Sequence, residues 1–168
     1  MSDNDRFRIF RGGEAIDLEA SGVMSYAKPT PEEQRGAERA IAAGMLEGSV
    51  NELLFSAPGW SLARIWFKSS YPLPRHRHDT GCLYFILGGS LTIGSETLGP
   101  GDGFFVGADV PYTYRPGHEG IELLEFRGSN DFDIKMLADN PAYWEEAVAT
   151  VEARRDRWRG ERRPTQTP

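Results

Sequence analysis

From Ser49 to Arg127 the sequence alternates apolar and polar residues at a period of two, in short runs that mostly end at glycine, proline or aspartate. A period of two places successive side chains on opposite faces, as a β-strand does. The runs predict strands at 51–55, 60–68, 75–78, 82–87, 90–93, 96–98, 103–107, 112–115 and 120–127. Strands this short and evenly spaced fold as a sandwich or barrel, and the 19 glycines and 11 prolines suit its many turns.

Helical spacing appears on either side of this core. Thr30-Pro31-Glu32-Glu33 reads as a capping box with proline in the first turn, and Ala37, Ala40, Ile41, Gly44 and Met45 extend it into a helix at about 31–46. Asn140 and Pro141 open a second helix with an apolar stripe of Tyr143, Trp144, Ala147, Val148 and Val151. The expected organisation is an extension over 1–48, with an edge strand around Phe7, Ile9 and Phe10, then a barrel over 49–130. A helical segment over 131–160 and a disordered tail over 161–168 follow.

Charge and cysteine usage narrow the partners. A net charge of −6 repels phosphate backbones, so nucleic acid is not expected, and the arginine cluster from Arg154 to Arg163 reads as a solvated helix end. Cys82 is the single cysteine, which excludes an intrachain disulfide. No run reaches the ~18 apolar residues of a membrane span, and the N-terminus lacks a signal-like apolar stretch. A soluble, cytoplasmic protein with no membrane partner is expected.

The chemically informative stretch is His76-Arg77-His78, followed by Cys82 and, after LYFILG, by Gly89. Two residues apart on a strand, both imidazoles face one side and are placed to grip one divalent ion. The stretch resembles the first motif of the cupin superfamily, G-x5-H-x-H-x3,4-E-x6-G, with His76, His78 and Gly89 in place. Cys82 stands at the glutamate and Ser70 at the opening glycine. The second motif, G-x5-P-x-G-x2-H-x3-N, resembles GDGFFVGADVPYTYRP: Gly101 matches, and Gly107, Asp109, Tyr112 and Pro116 stand at the proline, glycine, histidine and asparagine places. The resemblance covers roughly 60–127.

That resemblance implies an all-β, jelly-roll-like antiparallel barrel, flanked here by the two helices, with one divalent transition metal (Fe, Zn, Mn or Ni) inside and no nucleotide or flavin. It also makes a homodimer the expected assembly. The ligand set carried over is His76, His78, Cys82 and Tyr112. Asp109, His118, or one of Glu122 and Glu125, is the alternative source of a carboxylate or imidazole; these two glutamates lie on opposite faces of their strand. Family precedent for a cysteine at the glutamate place also raises a Cys82–tyrosine thioether.

Around these residues, Arg64, Trp66, Tyr84, Phe104 and Tyr114 are expected to line a substrate pocket, with Arg64 or Arg75 pairing a carboxylate and Tyr112 and Cys82 in catalytic roles. The expected function is a metal-dependent enzyme of dioxygenase, isomerase or lyase type acting on a small carboxylated or aromatic molecule. The alternative is a metal-free, non-catalytic binding or sensing barrel; a third reading is an interaction module using the terminal helices.

Overall fold

The computed structural model describes residues 7–166. Within them, ten strands and two helices follow one another: β1 Ile16–Asp17, β2 Met24–Tyr26, α1 Pro31–Ala43, β3 Ser49–Ala57, β4 Trp60–Phe67, β5 His76–Arg77, β6 Cys82–Ile93, β7 Glu96–Leu98, β8 Gly103–Val106, β9 Arg115–Arg127, β10 Phe132–Met136 and α2 Pro141–Trp158. One sheet runs β1-β3-β4-β9-β6-β7 with β8 also on β6, and a smaller one runs β2-β10-β5. All these pairings are antiparallel except β10 with β2.

Local chemistry sets the helix ends. Thr30 Oγ1 accepts from the Glu33 amide at 3.1 Å, and the Glu33 carboxylate accepts from the Thr30 amide at 2.9 Å, closing the capping box. Gly44, at φ 111°, ends α1 in a left-handed conformation, so the helix stops before the expected residue 46 and a short 3₁₀ turn follows. α2 buries Trp144, Ala147, Val151 and Trp158. Gly36 lets α1 approach α2: a Cβ there would meet the Trp144 ring at 2.1 Å.

Three expectations need correcting. Phe7, Ile9 and Phe10 form no strand; they are exposed, with Phe10 against Phe55, and the first strand among the described residues is β1. The segment after 130 is not purely helical, because β10 joins β5 to β2. The tail up to Gln166 is placed against the barrel rather than disordered: Arg163 and Thr165 bond the buried Glu122, and Arg163 also pairs with Glu52 at 2.8 Å. The rest of that tail lies outside the described residues.

The inner face of the large sheet reads in cross-strand rows. Leu53, Ala63, Glu125 and Tyr84 form one; Asn51, Ile65, Leu123 and Ile86 form the next; Ser61, Arg127 and Cys82 form a third. Most of this face is apolar core, and the polar exceptions mark the site.

Candidate ligand site in the barrel

His76 opens β5 and His78 follows directly after it, and both are buried. His76 exchanges both backbone hydrogen bonds with Tyr112, and its Nδ1 lies 2.7 Å from the Pro74 carbonyl oxygen. The Nδ1 of His78 lies 2.7 Å from the Asp133 carbonyl oxygen on β10. A carbonyl only accepts, so each Nδ1 carries the proton and each Nε2 is left with its lone pair. Asp133 is itself held by Arg77 and by reciprocal contacts with Asp79. The two rings sit 5.2 Å apart, edge to face, with Tyr112 4.4 Å from His76.

These residues wall a cavity of about 360 Å³ between the two sheets. Its polar end is His76, His78, Tyr112, Tyr114 and Glu125. Its body is apolar, with Leu18, Ile65, Phe67, Leu73 and Met136 among the lining side chains. Tyr26, Ile41 and Leu46 line it and are also exposed, which puts the mouth beside α1. Asn51 reaches the cavity with a buried Oδ1 that has no hydrogen-bond partner among the described residues.

The expected site residues divide sharply. His76, His78, Tyr112 and Tyr114 line the cavity. Cys82, Tyr84 and Phe104 are inside the barrel but behind its wall: the Tyr84 hydroxyl bonds the Tyr112 hydroxyl, and Phe104 stacks on Tyr84 at 4.4 Å. The hydrogen-bond partner of the Tyr112 hydroxyl is therefore Tyr84. Arg64 and Trp66 are on the outer face. Arg64 pairs with Glu52 at 2.8 Å, and Lys68 and Arg163 cover Trp66. The wall of β4 is instead its other parity, Ile65 and Phe67, because both faces of this strand are covered.

The remaining candidate groups lie away from the two imidazoles, with one exception. Asp109 is exposed and pairs with Arg77, His118 and Arg75 are exposed, and Glu122 faces the tail. Glu125 is the inward glutamate. Its Oε2 accepts from Arg127 Nη1 at 2.7 Å, and Arg127 is 1% exposed. Sequence reasoning missed Arg127, Asn51 and Asp133. The parity that turns Glu125 inward also carries Arg127, two residues on, to the same face.

Burial pushes the Cys82 thiol up to about 12 and raises Tyr112, with Glu125 adding to both. Burial also lowers both imidazoles, and the Arg127 guanidinium adds to this, bringing His78 down to about 4. In the unfolded chain a histidine titrates near 6.5. Between about 6.5 and 4 the unfolded state therefore holds more protons, so stability is complete above that window and is lost as pH falls through it. For His78 alone the loss is about 3 kcal/mol. Urea unfolding between pH 7.5 and 4.5 should show the decline, with a shallower one in His78→Gln.

This donor set does not fit the four-ligand metal centre that the cupin resemblance implies. Cys82 is outside the cavity wall, the Tyr112 hydroxyl is bonded to Tyr84, and Glu125 is held by Arg127. Among the described residues no three His, Cys, Asp or Glu side chains form a metal-holding group. The interior already contains a cation in Arg127, which offsets the carboxylate that a second cation would need.

The antiparallel, jelly-roll-like sheet enclosing a histidine-bearing pocket defines the cupin class of barrel. No family model matches the sequence, and no curated protein matches it. Solved structures do. The polyketide cyclase RemF from Streptomyces resistomycificus aligns at TM-score 0.51 and 17% identity, over 62% of this chain and 83% of that one. An RmlC-like cupin from Shewanella frigidimarina aligns at 0.44 and 20%, over 48% and 76%. A protein with a cupin-like fold from Ralstonia eutropha aligns at 0.47 and 15%, over 68% and 80%. The chain has the cupin fold.

Proposed function

We propose that the protein is a small-molecule-binding cupin that works without a resident metal. The observation that carries this reading is the pair of imidazoles anchored through Nδ1–H to the Pro74 and Asp133 carbonyls, at the polar end of an apolar cavity. Two fixed lone pairs beside the Tyr112 ring suit a ligand with an apolar body and a polar, proton-bearing head. In this arrangement the neutral rings of His76 and His78 accept hydrogen bonds, and burial with the nearby Arg127 guanidinium disfavours their protonation. His76 and His78, with Tyr112, are the residues assigned to any acid–base step, and the Tyr84 hydroxyl holds Tyr112 from behind. The metal-dependent dioxygenase, isomerase or lyase chemistry implied by the resemblance is the competing reading.

A thermal-shift screen of small organic molecules tests the proposal. Ligands should raise the Tm of the wild type, and His76→Ala/His78→Ala should weaken them about tenfold or more. Ligands unaffected by the double substitution would overturn it.

The barrel also presents a self-association surface. Leu83, Phe85, Phe105 and Phe126 project outward from β6, β8 and β9, with Leu83 paired across to both Phe105 and Phe126, and Trp60 stacks on Phe126 at 5.3 Å. Each is 40–68% exposed. At ~150–250 Å² per aromatic side chain, this patch offers about 500 Å² of apolar surface. A standard interface takes about 800 Å² from each partner and is roughly 65% apolar in homodimers, which is about the same apolar area. A second copy of this chain is therefore its proposed occupant. Phe105→Glu should convert a dimer to a monomer in analytical ultracentrifugation without altering the far-UV circular dichroism; a wild-type monomer at tens of micromolar would contradict the assignment.

A further inference from the structure

We infer that the ligand's head group is neutral and carries two neighbouring hydroxyls, one donated to each imidazole. The inference rests on the reading of the barrel as an organic-ligand site and names the chemical class of its ligand.

The hydrogen-bonding capacity of the cavity wall is lopsided. His76 and His78 line it, and each has its Nδ1–H committed to a backbone carbonyl at 2.7 Å. What each ring has left to offer is an acceptor, Nε2. Neither Nε2 has a protein partner among the described residues, and neither belongs to the side-chain atoms buried without one, so each reaches the open space that its ring lines. Glu125 adds a carboxylate to the same wall: Arg127 takes its Oε2, and its Oε1 makes no hydrogen bond among the described residues. Three acceptors thus share the polar end. The donors there are the hydroxyls of Tyr112 and Tyr114, and that of Tyr112 is already shared with Tyr84. Among the described residues no arginine or lysine lines the cavity.

The polar end also resists charge of either sign. Burial lowers both imidazoles and raises the Tyr112 and Tyr114 phenols, so bases and acids alike are pushed toward their neutral forms. A ligand carboxylate would meet the same penalty, would have no cation on the cavity wall to offset it, and would face the Glu125 carboxylate. An ammonium would find Glu125 already neutralised by Arg127. Hydroxyls escape both costs, since each can donate to an imidazole and accept from the Tyr114 hydroxyl. The imidazole ring centres lie 5.2 Å apart, close enough for both acceptors to fall to one head group. The carboxylate expected of the ligand thus gives way to a diol: Arg64 is held by Glu52 outside the barrel, and Arg75 is exposed.

The test compares 4-propylcatechol with its dimethyl ether, 4-propylveratrole, and with 4-propylbenzoate, three probes that share an apolar body and differ in the head. By calorimetry, with oxygen excluded and EDTA present, the catechol should bind the wild type about tenfold or more tightly than either of the others. In the same unaltered protein, the catechol and not the ether should move the Nε2 nitrogen resonances of His76 and His78 upfield. The exposed His118 serves as the internal reference that stays in place. The ether or the benzoate binding as tightly as the catechol, or both Nε2 resonances unmoved in the catechol complex, would overturn the hydroxyl assignment and leave the pocket reading intact. Failure of all three probes to bind would remove the pocket reading, and the hydroxyl assignment with it.

Discussion

Replacing Arg127 with methionine is expected to cost the fold about 3–5 kcal/mol, because it strands the Glu125 carboxylate inside the barrel without its partner. The double variant Glu125→Gln/Arg127→Met should recover most of that loss, since it removes both charges and leaves an amide of the same size beside an apolar chain. Urea unfolding of the wild type, the single variants and the double variant closes the cycle. A single-variant loss below about 1 kcal/mol would mean that water reaches Glu125 freely, and that the pair is not the buried unit described above.

Gly89→Ala should be as damaging for a different reason. Gly89 sits in β6 at φ 76°, where L-residues are strained, and an added Cβ would lie 2.2 Å from the Gly120 carbonyl oxygen. That neighbour is backbone of the adjoining strand β9, and Gly120 is itself pressed against Phe67, so neither side can give way. A loss of about 3 kcal/mol or more is expected, read as a lowered urea midpoint with an unchanged slope. This close approach, next to the register shift between Gly89 and Leu91, is the physical content of the closing glycine in the first cupin-like motif.

The strands that carry the site were legible because each buries one face against a polar or exposed one. In β6 the alternation put Cys82, Tyr84 and Ile86 inside and Leu83 and Phe85 outside, as found. The same rule placed His76 beside His78 and separated Glu122 from Glu125. It failed for β4, where the tail covers the outer face: Trp66 and Ile65 are both buried, so hydrophobicity alone could not say which side was the pocket.

Other misses have long-range causes. The tail ERRPTQ is polar and binds through Arg163 and Thr165 to a glutamate more than forty residues away, a pairing that no local pattern carries. β10 is five residues long and gains its place from β2 and β5 rather than from its own sequence. Arg127 was not singled out in the sequence, since arginine is seldom buried, and only its partner Glu125 and the Phe132 ring explain its position. The ligand set was the least legible part: Cys82 and Tyr112 occupy the expected strands, but the depth of Cys82 and the Tyr84–Tyr112 contact depend on packing across the barrel.

The most direct test of the central claim is elemental analysis of untagged protein, before and after incubation with Fe(II), Zn(II), Mn(II) and Ni(II) followed by dialysis, alongside His76→Ala/His78→Ala. The account predicts well under one equivalent of any transition metal, with no difference between the wild type and the double variant. About one equivalent per chain in the wild type, lost in the double variant, would contradict it and make His76 and His78 metal ligands.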